Sequence, residues 1–319
     1  MKKISIVIPA HNEQNNIHPL VNELQKVLNS TGYTFEYIFV DDGSKDNTLN
    51  EIKIQSEIHP EVRYLELSRN FGKDHALQAG LEMATGDAVI TMDSDLQHPP
   101  EMIKEMLRYW ALDYDVVYTY RAEANAHAKK YQRFSSKMFY KGINMLSDIE
   151  LENGIADFRL LDRKVVDQLN LMDEYEIFFR GMVKWVGFKQ KAIPYTPANR
   201  FSGEASYSFF KLIKLALNSM MSFSVRPLYA VTGIGLFFSL FSVLYIPYVF
   251  ISYFFFGQTT ASGWASIIAT VAFFGGLQLF VLGVIGMYLG KLFMQAKQRP
   301  NYIVRSSNLV KTGNDLIEL

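Results

Sequence analysis

Short apolar runs alternate with amphipathic stretches through the first 120 residues of the chain. Ile4-Ser5-Ile6-Val7-Ile8-Pro9 is apolar along nearly its whole length and stops at a proline, the pattern of a strand buried on both faces. From Ile17 to Leu28 the apolar positions Ile17, Leu20, Val21, Leu24, Val27 and Leu28 recur with helical spacing. Phe35 to Val40 predicts a second strand, and a helix after it with Ser44 or Asp46 as its cap. Val62 to Leu67 predicts a third strand, Asp74 to Ala84 a helix, and Ala88 to Met92 a fourth strand. A further strand, Val116-Val117-Tyr118, ends near Arg121. Strand and helix alternating in this way imply an α/β domain, Rossmann-like, with a mostly parallel sheet.

Beyond residue 125 the pattern changes. Lys129 to Ser147 reads as a helix carrying Lys129, Arg133, Lys137 and Lys141 four residues apart. That stripe suits either a solvated face or a helix on an anionic membrane surface. Phe209 to Phe223 is mostly apolar with Lys211 and Lys214 on one side, as expected of an interfacial amphipathic helix. Two longer apolar segments follow, at about 227–256 and 264–289, and every residue between Arg226 and Lys291 is uncharged. Each exceeds the roughly 20 residues needed to cross a ~30 Å hydrocarbon layer. The expected organisation is therefore an α/β domain at 1–206, an interfacial helix at 207–225, a transmembrane hairpin at 226–290 and a tail at 291–319. Arg226 before the hairpin and Lys291, Lys297 and Arg299 after it predict that both ends lie on the cytoplasmic side. Pro247 and the pairs Gly233/Gly235, Gly275/Gly276 and Gly283/Gly286 permit kinks or close helix packing, including packing between protomers.

Composition sharpens this picture. The 319 residues contain 32 Lys plus Arg and 32 Asp plus Glu, so no global basic field points to nucleic acid. The absence of cysteine excludes disulfides, thiolate metal sites and Cys nucleophiles, and it fits a reducing compartment. Met1-Lys2-Lys3-Ile4 leads straight into a strand, without the apolar region of a secretory signal.

The candidate chemistry lies at the carboxyl ends of the strands, the edge where open α/β sheets bind ligands. There stand His11-Asn12-Glu13, Asp41-Asp42-Gly43-Ser44, Ser68-Arg69-Asn70-Phe71-Gly72-Lys73 and Asp93-Ser94-Asp95. No Gly-x-Gly-x-x-Gly and no P-loop occurs, so a nucleotide must be held by other means. If the fourth strand continued through Ser94, Asp93 and Asp95 would share a face, and two convergent carboxylates invite a hard divalent cation. The alternative is an acidic turn that caps a helix starting near Pro100.

Taken in order, Ile8-Pro9-Ala10-His11-Asn12-Glu13, Val40-Asp41-Asp42-Gly43-Ser44, Ser68 to Lys73 and Asp93-Ser94-Asp95-Leu96-Gln97-His98-Pro99-Pro100-Glu101 resemble the family-2 glycosyltransferases of GT-A fold. Asp157-Phe158-Arg159-Leu160 and Arg200-Phe201-Ser202-Gly203-Glu204-Ala205-Ser206 resemble the polyprenyl-phosphate branch, which includes dolichol-phosphate mannose synthases. The C-terminal hairpin looks most like the bactoprenol glucosyltransferases of O-antigen modification. The resemblance implies that Pro9, Ala10, Asn12, Glu13, Asp42, Lys73, Asp93 and Ser94 hold a sugar nucleotide. It implies Mg2+ or Mn2+ on Asp93 and Asp95, with Gln97 as a further ligand. Arg121, Arg159, Arg200, Ser206 and Lys211 become candidates for phosphate and acceptor binding, and Asp157, Asp95 and Arg200 for catalysis. Ala205-Ser206-Tyr207 departs from the family's usual Ser-Lys after Gly-Glu, which leaves Lys211 as a substitute cation. Asp157 has a structural alternative as well, an ion pair with Arg159 or Arg163. The implied reaction is transfer of one sugar, glucose from UDP-glucose foremost, to undecaprenyl phosphate with inversion. GDP-mannose or a UDP-modified arabinose are the alternative donors, and a non-catalytic membrane scaffold is the alternative role.

Overall fold

The computed structural model describes residues 1–121, 155–196, 224–256 and 263–309. Among these, one sheet contains β1 (Lys3–Ala10), β2 (Thr34–Asp41), β3 (Val62–Leu67), β4 (Ala88–Thr91), β5 (Val116–Arg121), β6 (Ile155–Asp162), β7 (Gln190–Tyr195) and β8 (Val304–Ser307). Their order across the sheet is β7-β5-β6-β4-β1-β2-β3-β8. As the alternating pattern predicts, β3, β2, β1 and β4 are parallel, because a helix between successive strands returns the chain to the same end. β6 runs antiparallel to β4 and β5, and β8 antiparallel to β3, which makes the sheet mixed but mostly parallel.

Helices cover both faces of this sheet. Ile4, Ile6 and Ile8 of β1 join one core with α1 (Ile17–Leu28) and with α4 (Met102–Trp110), through Ile103, Met106, Leu107 and Trp110. Val7 alternates to the other face and meets α3 (Lys73–Met83). There a Cβ on Gly80 would stand 2.2 Å from Val7 Cγ1 and 3.1 Å from Val40 Cγ2, so only glycine lets α3 lie this close to the sheet. α2 (Thr48–Ile58), α5 (Arg163–Asn170) and α6 (Phe179–Trp185) complete the helices among the described residues of this part of the chain.

Several boundaries differ from the sequence expectation. β4 ends at Thr91, so Asp93 and Asp95 lie in a loop rather than on a continued strand. α4 starts at Met102 with no side-chain cap, so neither carboxylate caps it. α2 starts at Thr48 behind Asn47; Asp46 Oδ1 accepts the Thr48 N–H at 3.0 Å from just outside the helix, and Ser44 is no cap. The charged stretch around Asp157 is a buried strand, β6, and the expected tail contributes β8.

The chain divides into two compact units. One holds Met1–Lys141, Leu151–Leu212 and Pro300–Leu319, the other Gly142–Glu150 and Ile213–Arg299. In the second, α7 (Arg226–Phe256) and α8 (Trp264–Ala296) occupy the two long apolar segments. Phe238 meets Phe273 and Phe274 with ring centroids 5.6 and 5.7 Å apart, and Tyr288 OH donates to Ser224 O at 2.8 Å. Contacts that step backward along one segment as they step forward along the other make the pair antiparallel. Within α8, the 24-residue stretch Phe273–Ala296 reaches a mean hydropathy of 1.8 over 18 residues and is long and apolar enough to cross a membrane; Arg226–Phe241 is a shorter apolar stretch. A Cβ on Gly233, Gly235, Gly275, Gly276, Gly283 or Gly286 would meet nothing within 4 Å, so these glycines mediate no close packing within the described part of the chain. The helices expected at Lys129 to Ser147, with its basic stripe, and at Phe209 to Phe223 lie outside the described residues.

Candidate active site

Loops at the carboxyl ends of β1, β2, β3 and β4 meet around a cleft of about 370 Å3. It is lined by Pro9, Ala10, His11 and Glu13, by Asp42, by Asn70, Gly72 and Lys73, and by Asp93, Ser94 and Asp95. Parallel strands bring these loops to one edge whatever their distance in sequence.

Each loop is locked to its neighbour. Gly43 has φ +62°, and a Cβ there would stand 2.4 Å from Arg69 C and 2.5 Å from Asn70 N. Only glycine combines that backbone with that approach. Asp42 uses both oxygens on the adjoining loop, accepting the N–H of Phe71 at 2.7 Å and of Gly72 at 2.9 Å. Asn12, in the left-handed region at φ 57°, donates its backbone N–H to Ser44 Oγ and accepts the Lys45 N–H on Oδ1. It ties two loops together and is not among the residues that line the cleft. Asn16 Nδ2 donates to the Glu13 carboxylate, which fixes that side chain at the rim.

The ionic centre forms beside the paired ends of β4 and β6. β4 and β6 pair Thr91 with Arg159, and Thr91 Oγ1 donates to Asp157 O at 2.6 Å. The chain leaves β4 after Thr91, and the loop that follows carries Asp93 to the side of Lys73 where Asp157 also binds. The Lys73 ammonium, from the start of α3, lies 2.5 Å from Asp93 Oδ1 and 2.7 Å from Asp157 Oδ2. Burial opposes the lysine's charge, but Asp157 and Asp93 together hold its pKa above the ordinary value. Asp157 is buried, which alone would raise its pKa, yet Lys73 and Arg180 hold it well below the usual carboxylate range. Arg159, 2% exposed, lies 3.9 Å from Asp157 and donates to Ala156 O, and burial lowers its pKa to about 10. Asp74, next in α3, is pushed up to about 6 by burial and by the charge of Asp157.

The 93–98 loop is equally constrained. Leu96 takes φ 59°, a strained value for a branched side chain. Asp95 Oδ1 accepts the Gln97 N–H at 3.1 Å. Gln97 Oε1 accepts from Arg121 Nη2 at 3.3 Å, and Arg121 Nε donates to Tyr195 OH at 3.2 Å. His98 stacks on Phe158 at 5.0 Å and accepts the Asp93 N–H on Nδ1 at 3.0 Å. Burial lowers its pKa, which matches a neutral ring with its proton on Nε2.

Of the residues expected to bind the donor, Pro9, Ala10, Glu13, Asp42, Lys73, Asp93 and Ser94 line one cleft, joined by Asp95. Asp157 is reached through Lys73. The ion pair expected with Arg159 or Arg163 forms mainly with Arg180 and Lys73 instead; Arg163 donates to Gly86 O and Ala84 O. Arg200, Ser206 and Lys211 lie outside the described residues. Sequence reasoning gave no role to His98 or Arg180. His98 belonged to a quoted motif, whereas Arg180 lies in a stretch without any polar pattern. Asp93 and Asp95 supply hard carboxylate oxygens to the same cleft, and among the described residues no third His, Cys, Asp or Glu joins them as a metal cluster. That donor set fits Mg2+ or Mn2+, which bind through one or two carboxylates and complete their shell with phosphate and water.

Residues 5–169 match the family model described as Glycosyl transferase family 2. The chain is 38% identical over 309 residues to the uncharacterized glycosyltransferase YkcC of Bacillus subtilis, covering 95% of this chain and 93% of that one. It is 37% identical over 306 residues to the SfII prophage-derived bactoprenol glucosyl transferase of Shigella flexneri, covering 96% and 98%. A solved mannosyltransferase from Pyrobaculum calidifontis, in complex with GDP-Man and Mn2+, aligns over 93% of this chain and 86% of its own at 14% identity and TM-score 0.46.

Proposed function

The chain belongs to glycosyl transferase family 2, and from that premise we propose that it transfers a single glucose from UDP-glucose to undecaprenyl phosphate at the cytoplasmic face of a bacterial inner membrane. The observation that carries this reading is the gathering of Asp93, Asp95, Glu13, Asp42 and Lys73 around one cleft at the carboxyl edge of the sheet. The relatives named as bactoprenol glucosyl transferases support the sugar and the lipid. The apolar segments of α7 and α8 support a transmembrane hairpin, and the cations that flank them support termini on the cytoplasmic side.

In this reading the rim residues Pro9, Ala10, Glu13 and Asp42 hold the nucleoside, and Asp93 and Asp95 hold Mg2+ or Mn2+. Bound there, the cation neutralises charge growing on the departing diphosphate. An oxygen of the lipid phosphate forms the bond to the anomeric carbon as the bond from that carbon to the diphosphate breaks, which inverts its configuration. The second pKa of the acceptor is about 6, so it arrives largely ionised at pH 7 and needs no strong base. Positioning then dominates the rate. Lys73 draws Asp93 and Asp157 together and keeps the first loop of α3 against the cleft. Arg121, whose Nη2 donates to Gln97 Oε1, and Arg200 are the proposed phosphate and acceptor anchors.

The test is transfer of radiolabel from UDP-glucose, GDP-mannose and UDP-4-deoxy-4-formamido-arabinose to undecaprenyl phosphate by the purified full chain. Labelled lipid from UDP-glucose, lost in Asp95→Ala, is expected. Labelled lipid from another donor alone would reassign the sugar, and none from any donor would return the protein to a scaffold role.

A further inference from the structure

We infer that Arg305, on the strand that follows the second unit, is a positioning residue for the donor cleft. The inference rests on the proposed reading of that cleft as the nucleotide-sugar site. β8 pairs with β3 through Leu65↔Ser307 and Glu66↔Ser306, and the ladder turns irregular between Glu66 and Leu67. Regular backbone pairing therefore falters where the chain turns toward the Ser68–Lys73 loop, and other contacts take over. Ser68 donates its N–H to Ile303 O at 2.8 Å and accepts Arg305 Nη2 on its carbonyl at 2.7 Å. Both backbone polar groups of Ser68 are thus held by the C-terminal segment. Arg305 Nη1 stands 3.1 Å from Glu66 Oε1, and Ser306 Oγ donates to Glu66 Oε2 at 2.6 Å. Glu66 is buried, so this carboxylate is a firm anchor for the guanidinium.

The same segment also grips the helix behind the loop. Asn301 Nδ2 donates to Gln78 Oε1 at 3.2 Å, and Tyr302 OH donates to the Glu82 carboxylate. Gln78 and Glu82 lie on α3, whose first residue is Lys73. The loop that presents Asn70, Gly72 and Lys73 to the cleft is therefore clasped on both sides. Arg305 shares with Ile303 the hold on Ser68, the clasped residue nearest the cleft loop, and its side chain is 62% exposed, so packing contributes little to its role. A bidentate cation that spans Glu66 and Ser68 fixes the angle at which the loop leaves β3.

The experiment uses the full-length protein in membranes, with Arg305→Ala, Arg305→Lys and Asn308→Ala. Asn308 serves as the control because its Oδ1 accepts the Tyr64 N–H at 2.7 Å, at the far end of the β3–β8 pairing. Arg305→Ala is expected to raise the donor KM about tenfold with kcat within about twofold, the signature of lost binding rather than lost chemistry. Amide exchange at Phe71 and Gly72 should quicken in parallel, and Arg305→Lys should restore part of both. Asn308→Ala should lower the melting temperature and leave KM unchanged. An unchanged KM with unchanged exchange in Arg305→Ala would overturn the inference, as would an equal KM rise in Asn308→Ala. Exchange needs no substrate, so it decides the positioning role even if the wild type transfers no sugar and the proposed function fails.

Discussion

Arg180 and Asp157 form a two-pronged ion pair, with Nε 2.6 Å from Oδ1 and Nη2 2.9 Å from Oδ2. Both carboxylate oxygens are thereby fixed, and Lys73 takes a further position on Oδ2. One buried anion consequently serves three cations, Arg180, Lys73 and Arg159. Asp157→Asn removes their common partner and should destabilise the fold by about 3–5 kcal/mol. Adding Arg180→Met should return part of that loss, because one stranded charge goes with it. Denaturant unfolding of the two variants checks this, and equal stability of single and double variant would contradict it.

Asp74 gives a prediction with a defined pH sign. Its pKa is about 6 in the folded protein against about 3.9 in an unfolded chain. The folded state binds this proton more tightly, so the contribution favours folding below about pH 4 and is lost as pH rises through 6. Asp74→Asn carries no such penalty. It should stabilise the protein by about 1–2 kcal/mol at pH 7.5 and by almost nothing at pH 4. A gain of the same size at both pH values would refute the assignment.

Gly80→Ala should cost about 1–3 kcal/mol, because its new methyl meets Val7 and Val40 in a packed layer that cannot yield on the sheet side. The accompanying Val7→Ala should relieve part of the cost. Since α3 carries Lys73 at its first turn, donor KM is expected to rise as well. Thermal unfolding and donor titration on the single and double variants test both statements.

Removal of divalent metal by a chelator should abolish sugar transfer, and Mn2+ or Mg2+ should restore it. Asp93→Ala and Asp95→Ala should each lower transfer by at least about 10²-fold and raise the metal concentration needed for half activation. Undiminished transfer in excess chelator would remove the metal from the mechanism.

The parallel half of this fold was legible because its strands are short unbroken apolar runs and its helices carry 3.6-residue spacing. Val62–Leu67 matched its strand without a residue's difference. β6 was not legible: Asp157 is buried there against the charges of Arg180 and Lys73, with Arg159 3.9 Å away, and a charge in an apolar run reads as a loop. β8 lacks an apolar signal altogether, since Val-Arg-Ser-Ser is recruited by the polar edge of β3. At the site, residues local to a motif were found, whereas Arg180 arrives through tertiary packing. The rule that Asp93 and Asp95 align by strand alternation failed, because β4 stops at Thr91; a turn closed by Asp95 and Gln97 follows it instead.

The late position of β8 sets an order of events during synthesis. β1 to β7 are all translated before α7 and α8, but the outer edge of β3 stays unpaired until residues 304–307 have been made. A nascent chain therefore exposes an open strand edge throughout the interval in which its most apolar segments emerge. Any shortened version that stops before α7 keeps that edge bare permanently and should self-associate through it, so a soluble fragment of this protein is better made by fusing residues 300–309 back onto the first unit than by simple truncation.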